Sequence, residues 1–188
     1  YADGSGVVGT FAARTAGAHG NSLLVSTCPS AAAYEEEAVT TVNDASTAVG
    51  DTTVVTADGS QFVVGDIVSF STTAATNDYD DGHQYRVTAI NTHTLTIVQK
   101  ESGSGGLQTT LTDGGNIRRR WKYYDSVGTG PGTSTYASER SGVNDEIHVV
   151  VIDEDGEVTG VPGSVLETYE KLSKAADAKS PQGDTNYY

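Results

Sequence analysis

Ile147-His148-Val149-Val150-Val151-Ile152 is an unbroken apolar run, the pattern of a strand covered on both faces. Asp155-Gly156 follows; this dipeptide turns hairpins because both residues tolerate a positive φ. The return is expected through Glu157-Val158-Thr159-Gly160. Pro162-Gly163 then precedes Ser164-Val165-Leu166-Glu167, which fits a capping box, in which hydroxyl and carboxylate each satisfy an orphan amide. The spacing predicts a helix with Val165, Leu166, Tyr169, Leu172 and Ala176 on one stripe, ended by Ser180-Pro181. Such a helix would lie on the 147–152 strand as the rigid core of a body.

Upstream, Val7-Val8-Gly9-Thr10-Phe11-Ala12-Ala13-Arg14 and Gly17-Ala18-His19-Gly20-Asn21-Ser22 are punctuated by glycine. They read as a loop running into a buried strand at about 22–27. Residues 31–37, rich in Ala and Glu, suggest one or two helical turns. From about 40 to 112 the period changes to two. Thr53-Val54-Val55, Phe62-Val63-Val64, Ile67-Val68-Ser69-Phe70, Tyr85-Arg86-Val87-Thr88-Ala89-Ile90 and Leu95-Thr96-Ile97-Val98 are β-branched segments. They are separated by turns at Asp58-Gly59, Gly65-Asp66 and Asn91-Thr92-His93-Thr94. Strands at this spacing form a small antiparallel barrel or sandwich, with Ser102-Gly103-Ser104-Gly105-Gly106 as a flexible joint. The expected fold class is α+β. A body of mixed strands and a helix, 1–37 with 125–188, is interrupted by a β-rich insert, 38–124, that projects outward and is separable.

Composition narrows the function. The 188 residues carry 11 Lys and Arg against 25 Asp and Glu, a net charge of -14. That balance disfavours both phosphate backbones and anionic membranes. Copies this acidic repel unless local positive charge meets negative. The one cysteine, Cys28, excludes an internal disulfide framework and reads as a small buried hydrophobe. No apolar run approaches the ~20 residues of a membrane span. The chain opens on Tyr1-Ala2-Asp3-Gly4 and stops at Asn186-Tyr187-Tyr188, which suggests a piece of a longer protein.

Chemistry-bearing residues are sparse. Asp153-Glu154-Asp155-Gly156 invites a calcium-loop reading but lacks the later acceptors and closing Glu of an EF-hand; an exposed turn explains it. Asn77-Asp78-Tyr79-Asp80-Asp81-Gly82 is a denser carboxylate cluster, a surface cation site or an acidic loop tip. In Arg118-Arg119-Arg120-Trp121-Lys122-Tyr123-Tyr124, strand periodicity puts Ile117, Arg119, Trp121 and Tyr123 on one face. Arg118, Arg120 and Lys122 share the other. The cationic face suits a contact between subunits or domains with carboxylates. His19, His83, His93, His148 and Cys28 sit in segments without a triad signature, and no phosphate loop or ligand spacing appears. No catalytic, cofactor-binding or metal-ligating residue is assigned, and no enzymatic activity or cofactor is expected.

The C-terminal third carries a resemblance. Asn144-Asp145-Glu146 leading into 147–153, then Gly156, Thr159-Gly160, Pro162-Gly163, Val165-Leu166-Glu167, Ser173-Lys174-Ala175-Ala176-Asp177-Ala178-Lys179 and Pro181-Gln182-Gly183-Asp184, resemble tail sheath proteins of large contractile-tailed bacteriophages. Ala13-Arg14-Thr15, Gly17, Gly20-Asn21-Ser22-Leu23 and Val25 do the same, and together these cover about half of the chain. The resemblance implies a sheath-type body and a virion protein assembled in the host cytoplasm. Identical subunits would form stacked hexameric rings around the tail tube protein and engage baseplate and tail terminator proteins. They would contract to drive the tube through the host envelope, without nucleic acid or membrane insertion. In that family, extended termini add strands to neighbouring subunits. The alternative is a β-rich adhesin that touches the host surface, which calls for converging exposed aromatics; Tyr79, Tyr85, Trp121, Tyr123 and Tyr124 are available.

Overall fold

A computed structural model describes residues 17–79, 82–180 and 182–187. In chain order the elements are α1 (Ala18–Asn21), β1 (Leu23–Cys28), α2 (Ala31–Tyr34), β2 (Glu35–Thr41), β3 (Thr53–Val55), β4 (Ile67–Ala74), β5 (Tyr85–Asn91), β6 (Thr94–Gln99), β7 (Gly115–Arg120), α3 (Thr135–Ser138), β8 (Glu146–Asp153) and β9 (Ser164–Ser173). Two compact units result, one from the described residues of 1–31 and 125–188, the other from 32–124. The expectations for Val7 to Arg14, for Asp80 and Asp81, and for Pro181 lie outside the described residues.

The 32–124 unit is one antiparallel sheet in the order β2-β7-β4-β5-β6-β3. Alternation works here as the sequence suggests: Tyr85, Val87, Leu95, Ile97 and Ile117 point inward and are fully buried. Phe70, Leu107, Val54 and Val68 complete the core, each such side chain contributing about 1.5–3 kcal/mol. Buried Tyr85 keeps its hydroxyl satisfied by accepting from the Gln108 N–H at 2.9 Å. The β5–β6 hairpin closes through Thr92 and His93, with Thr92 at φ 54°. Phe62-Val63-Val64 is not a strand; a 3-10 turn at Gly59–Gln61 leads into it, and Val63 and Val64 are exposed. The expected barrel or sandwich is also not closed by a ladder. The sheet curls until its edges touch at the Val42–Thr56 bridge, flanked by Asn43 N–H to Val55 O and Ala57 N–H to Thr41 O, each 2.9 Å.

The other unit is an antiparallel sheet in the order β1-β8-β9. Its centre is the 147–152 run, as expected. Its third strand is a correction, because Ser164–Ser173 is β9 and not a helix. The helical reading fails on the capping box itself. The Ser164 hydroxyl donates to Val161 O at 2.6 Å, and the Glu167 carboxylate accepts from the Tyr169 hydroxyl. Central β8 needs partners for the main-chain groups on both of its edges. Val165, Thr168 and Tyr169 are residue types at home in a strand, so non-local pairing overrides a local helix signal. The supposed apolar stripe does not exist; Val165 and Tyr169 are 39% and 45% exposed. The return strand also starts later than 157–160, at Ser164 opposite Asp153. Residues 31–37 give one helical turn, α2, before Glu35 turns into strand β2. With three helices of four residues each, the described chain is β-rich.

Candidate functional site

The basic run finds its carboxylates in its own unit. Antiparallel pairing sets Glu35 opposite Arg120 and Glu36 opposite Arg119. Three ion pairs follow: Arg119 to Glu36 at 2.8 Å, Arg118 to Glu37 at 3.5 Å, and Arg120 to Glu35. Arg119 also donates to Gln61 O at 2.6 Å and Ala32 O at 3.1 Å. Arg118 and Arg120 lie 4.5 and 5.1 Å from the ring centroids of Tyr79 and Tyr124. These arginines join β7 to β2 within one sheet and one unit. The signal was legible as two opposite triplets, Glu35-Glu36-Glu37 and Arg118-Arg119-Arg120, but only the register joins them.

The other sequence candidates also resolve into structure. Asp78 accepts from the Ser71 hydroxyl, and the Asn77 side-chain oxygen accepts from Asn116 at 2.6 Å. Hydrogen bonds, led by the one from Ser71, hold the Asp78 carboxyl below the usual carboxylate range. His148 is buried with both ring nitrogens engaged, Nε2 with Thr129 O at 2.7 Å and Nδ1 with the Lys171 N–H at 2.9 Å. His93 Nδ1 accepts from the Gly59 N–H at 3.2 Å. His19 and His83 are exposed and Cys28 is buried. Among the described residues no three His, Cys, Asp or Glu side chains gather as a metal site, and no helix is long and apolar enough to cross a membrane. Of the five aromatics an adhesin would need, Tyr79, Tyr85, Trp121 and Tyr123 are buried. Tyr124 is half-buried and donates to Gln84 at 2.6 Å.

Asp153, expected in an exposed turn, is fully buried. One carboxylate oxygen accepts from the Ser22 hydroxyl. The other accepts from the Val158 N–H at 3.0 Å, the Thr159 N–H at 2.7 Å and the Thr159 hydroxyl at 2.8 Å. Burial pushes this carboxyl up, and the hydrogen bonds from Ser22, Thr159 and Val158 outweigh it, holding the group far below the usual range. The Ser22 hydroxyl in turn accepts from the Asp155 N–H at 3.0 Å, and Glu154 N–H donates to Ser22 O at 2.6 Å. The 154–163 loop is thereby tied to one buried anion. Around that anchor it presents Glu154, Asp155 and Glu157 with exposed Val158 and Val161.

At the far end of β8 and β9 lies a cleft of about 400 Å³ lined by Tyr136, Ala137, Arg140, Val143, Asp145, Lys174, Ala175 and Asp177. Its carboxylates are engaged. Asp145 accepts from Ser134 N–H and hydroxyl, each 2.8 Å, and from the Ser173 hydroxyl. Asp177 accepts from the Tyr136 hydroxyl. Val143 is 74% exposed.

Compared with known proteins, the chain matches no protein family, no curated protein and no solved structure.

Proposed function

We propose that the chain is a structural, non-enzymatic part of a bacteriophage contractile tail sheath subunit, self-assembling into stacked hexameric rings around the tail tube and contracting to drive it through the host envelope. The residues of the C-terminal third that resemble sheath proteins name the family. The observation that carries an assembly role is the state of the β1-β8-β9 sheet. A sheet must bury a face to be stable, yet on β9 only Ser173 is buried. Leu23, Val158, Val161, Val165 and Tyr169 are all exposed in the same unit. Apolar surface of this kind, on edge strands β1 and β9 and on the loop between β8 and β9, supports a protein completed by neighbours.

An adhesin reading of the 32–124 unit lacks its platform, because the aromatics it needs are core residues or hydrogen-bonded to their neighbours. The test is negative-stain electron microscopy of the whole gene product expressed alone, across a range of salt. Tubes or stacked rings support the sheath reading. Dispersed particles under every condition overturn it.

A further inference from the structure

We infer that Asp155-Gly156 is a site of spontaneous backbone modification, where the Asp155 carboxyl and the Gly156 amide close to a succinimide that reopens as a β-linked isoaspartate. In the closure the Gly156 nitrogen bonds to Asp155 Cγ, and the carboxyl OH leaves as water with the amide proton. Water then adds across the bond between that nitrogen and the Asp155 main-chain carbonyl carbon. The chain now runs through Cγ, and the former main-chain carbonyl is the free carboxylate. Neither mass nor oxidation state has changed.

The step needs a nitrogen with no side chain beside it, a carboxyl free to turn and a peptide plane free to swing. Asp-Gly occurs five times in the sequence, and three pairs lie wholly among the described residues. The Asp58 carboxylate is held by the Ser60 N–H at 3.0 Å, the Ser60 hydroxyl at 2.7 Å and the Gln61 side chain at 2.8 Å. Its successor nitrogen donates to His93 Nδ1 at 3.2 Å, and Gly59 is buried. After Asp113, the Gly114 N–H donates to Val42 O at 2.8 Å. Neither restraint acts at Asp155, whose side chain is exposed. Among the described residues no hydrogen bond engages its carboxylate, its main-chain carbonyl or the Gly156 N–H. Only its own N–H is tied, to the Ser22 hydroxyl at 3.0 Å.

The loop itself keeps glycine at 156. Gly156 has a φ of 80°, and a Cβ there would lie 2.8 Å from Pro162 Cδ and 3.0 Å from Val161 C, so a side chain forces the loop to shift. The fold thus sets the one successor that leaves its nitrogen unshielded directly after an exposed aspartate. The consequence falls on the loop anchor. Ser22 grips the Asp155 N–H on one side, and Asp153 accepts from Val158 and Thr159 on the other. A β-linkage puts one extra carbon into the main chain between these two grips. The Val158 and Thr159 amides are then drawn off the Asp153 carboxylate, and the site acts as a slow release of the loop.

The experiment ages the full 188-residue chain for weeks at neutral pH and physiological temperature. Isoaspartate is detected by methyl transfer from S-adenosylmethionine, with a protein isoaspartyl methyltransferase as reagent, and placed by peptide mass spectrometry. It should build up at Asp155 faster than at Asp58 or Asp113 by roughly tenfold or more, because each of those sites must first give up a hydrogen bond. Asp155→Glu keeps the charge at an exposed position, and its longer side chain closes a six-membered ring far more slowly. Circular dichroism checks that this variant folds, and its 155 peptide should carry no isoaspartate after ageing. The aged wild type should show a fraction with accelerated amide exchange at Val158 and Thr159 that the aged variant lacks. No isoaspartate at Asp155, or equal rates at the three aspartates, overturns the inference. Isoaspartate at Asp155 with unchanged exchange at Val158 and Thr159 overturns the release of the loop.

Discussion

The Trp121 N–H donates to the Tyr34 carbonyl at 2.8 Å, one step beyond the Glu35–Arg120 pair. The strand that brings the chain into the 32–124 unit and the strand that takes it out are hydrogen-bonded neighbours. Their Cα atoms are therefore about 5 Å apart, a gap two or three residues can bridge.

Excision should then leave two folded products. Replacing 32–124 by a three-residue Gly-Ser link should preserve a strand-rich circular dichroism spectrum and a cooperative melt in the remainder. The 32–124 segment alone, holding the whole of the Phe70–Tyr85–Leu95 core, should give a dispersed amide spectrum. A collapsed amide spectrum from the isolated segment would show that its ends and core do not suffice.

Asp66 is nearly fully buried, and its carboxylate accepts from the Val63 N–H at 2.9 Å. Burial pushes its pKa up to about 6, against that hydrogen bond and the nearby Arg119 charge. A raised carboxyl favours folding when protonated. Its contribution is full below the unfolded value near 3.8 and is lost as pH rises through about 6. Asp66→Asn keeps the acceptor and drops the charge. The variant should be more stable than the wild type at pH 8 by up to about 3 kcal/mol, and the gap should close toward pH 4. Denaturant melts at both pH values check this; parallel pH profiles would contradict it.

The sequence made the 32–124 sheet readable because its strands alternate and its turns carry Gly, Asn and Asp. Burial at Val87, Leu95 and Ile97 follows a period of two that any register keeps. β9 was unreadable for the opposite reason: Ser164-x-x-Glu167 spells a helix start, and only the demand of β8 for a second neighbour decides otherwise. The loop anchor was hidden by distance. Ser22 and Asp153 are 131 positions apart, and nothing local tells a buried hydrogen-bond hub from an exposed acidic turn. The arginine run showed its charge but not its partners, since strand pairing fixes which three glutamates it meets.

Gly106 sits where a Cβ would fall on the carbonyl oxygens of Asp51 and Gly50. Those residues are bonded through Leu107, whose N–H donates to Asp51 O at 2.8 Å and whose carbonyl accepts from Gly50 N–H at 2.7 Å. Gly106→Ala must therefore push this strap off the sheet and expose fully buried Leu107. The expected cost is about 1–3 kcal/mol, read as a lower denaturation midpoint. Gly103→Ala is the control: a Cβ there meets open space, and only its φ of 68° resists the change. A loss at Gly106→Ala no larger than that at Gly103→Ala would mean that the strap accommodates the Cβ without exposing Leu107.

The last prediction concerns the anchor under the acidic loop. Asp153→Asn keeps one acceptor oxygen where the carboxylate has two, and turns an NH₂ toward donors. Either Ser22 or the Val158 and Thr159 amides then lose their acceptor, and an unsatisfied buried donor is costly. Amide exchange at Val158 and Thr159 should accelerate by roughly tenfold or more, while Val150 at the centre of β8 stays protected. Ser22→Ala removes one donor and leaves the second oxygen intact, so its effect at the same amides should be smaller. The wild-type carboxyl is held below the usual range; its contribution is present above the unfolded value of 3.8 and is lost only as pH falls through the lower folded value. The wild-type loop should accordingly stay protected at pH 4. Val158 and Thr159 exchanging alike in the wild type and in Asp153→Asn would show that the loop is held by something other than this carboxylate.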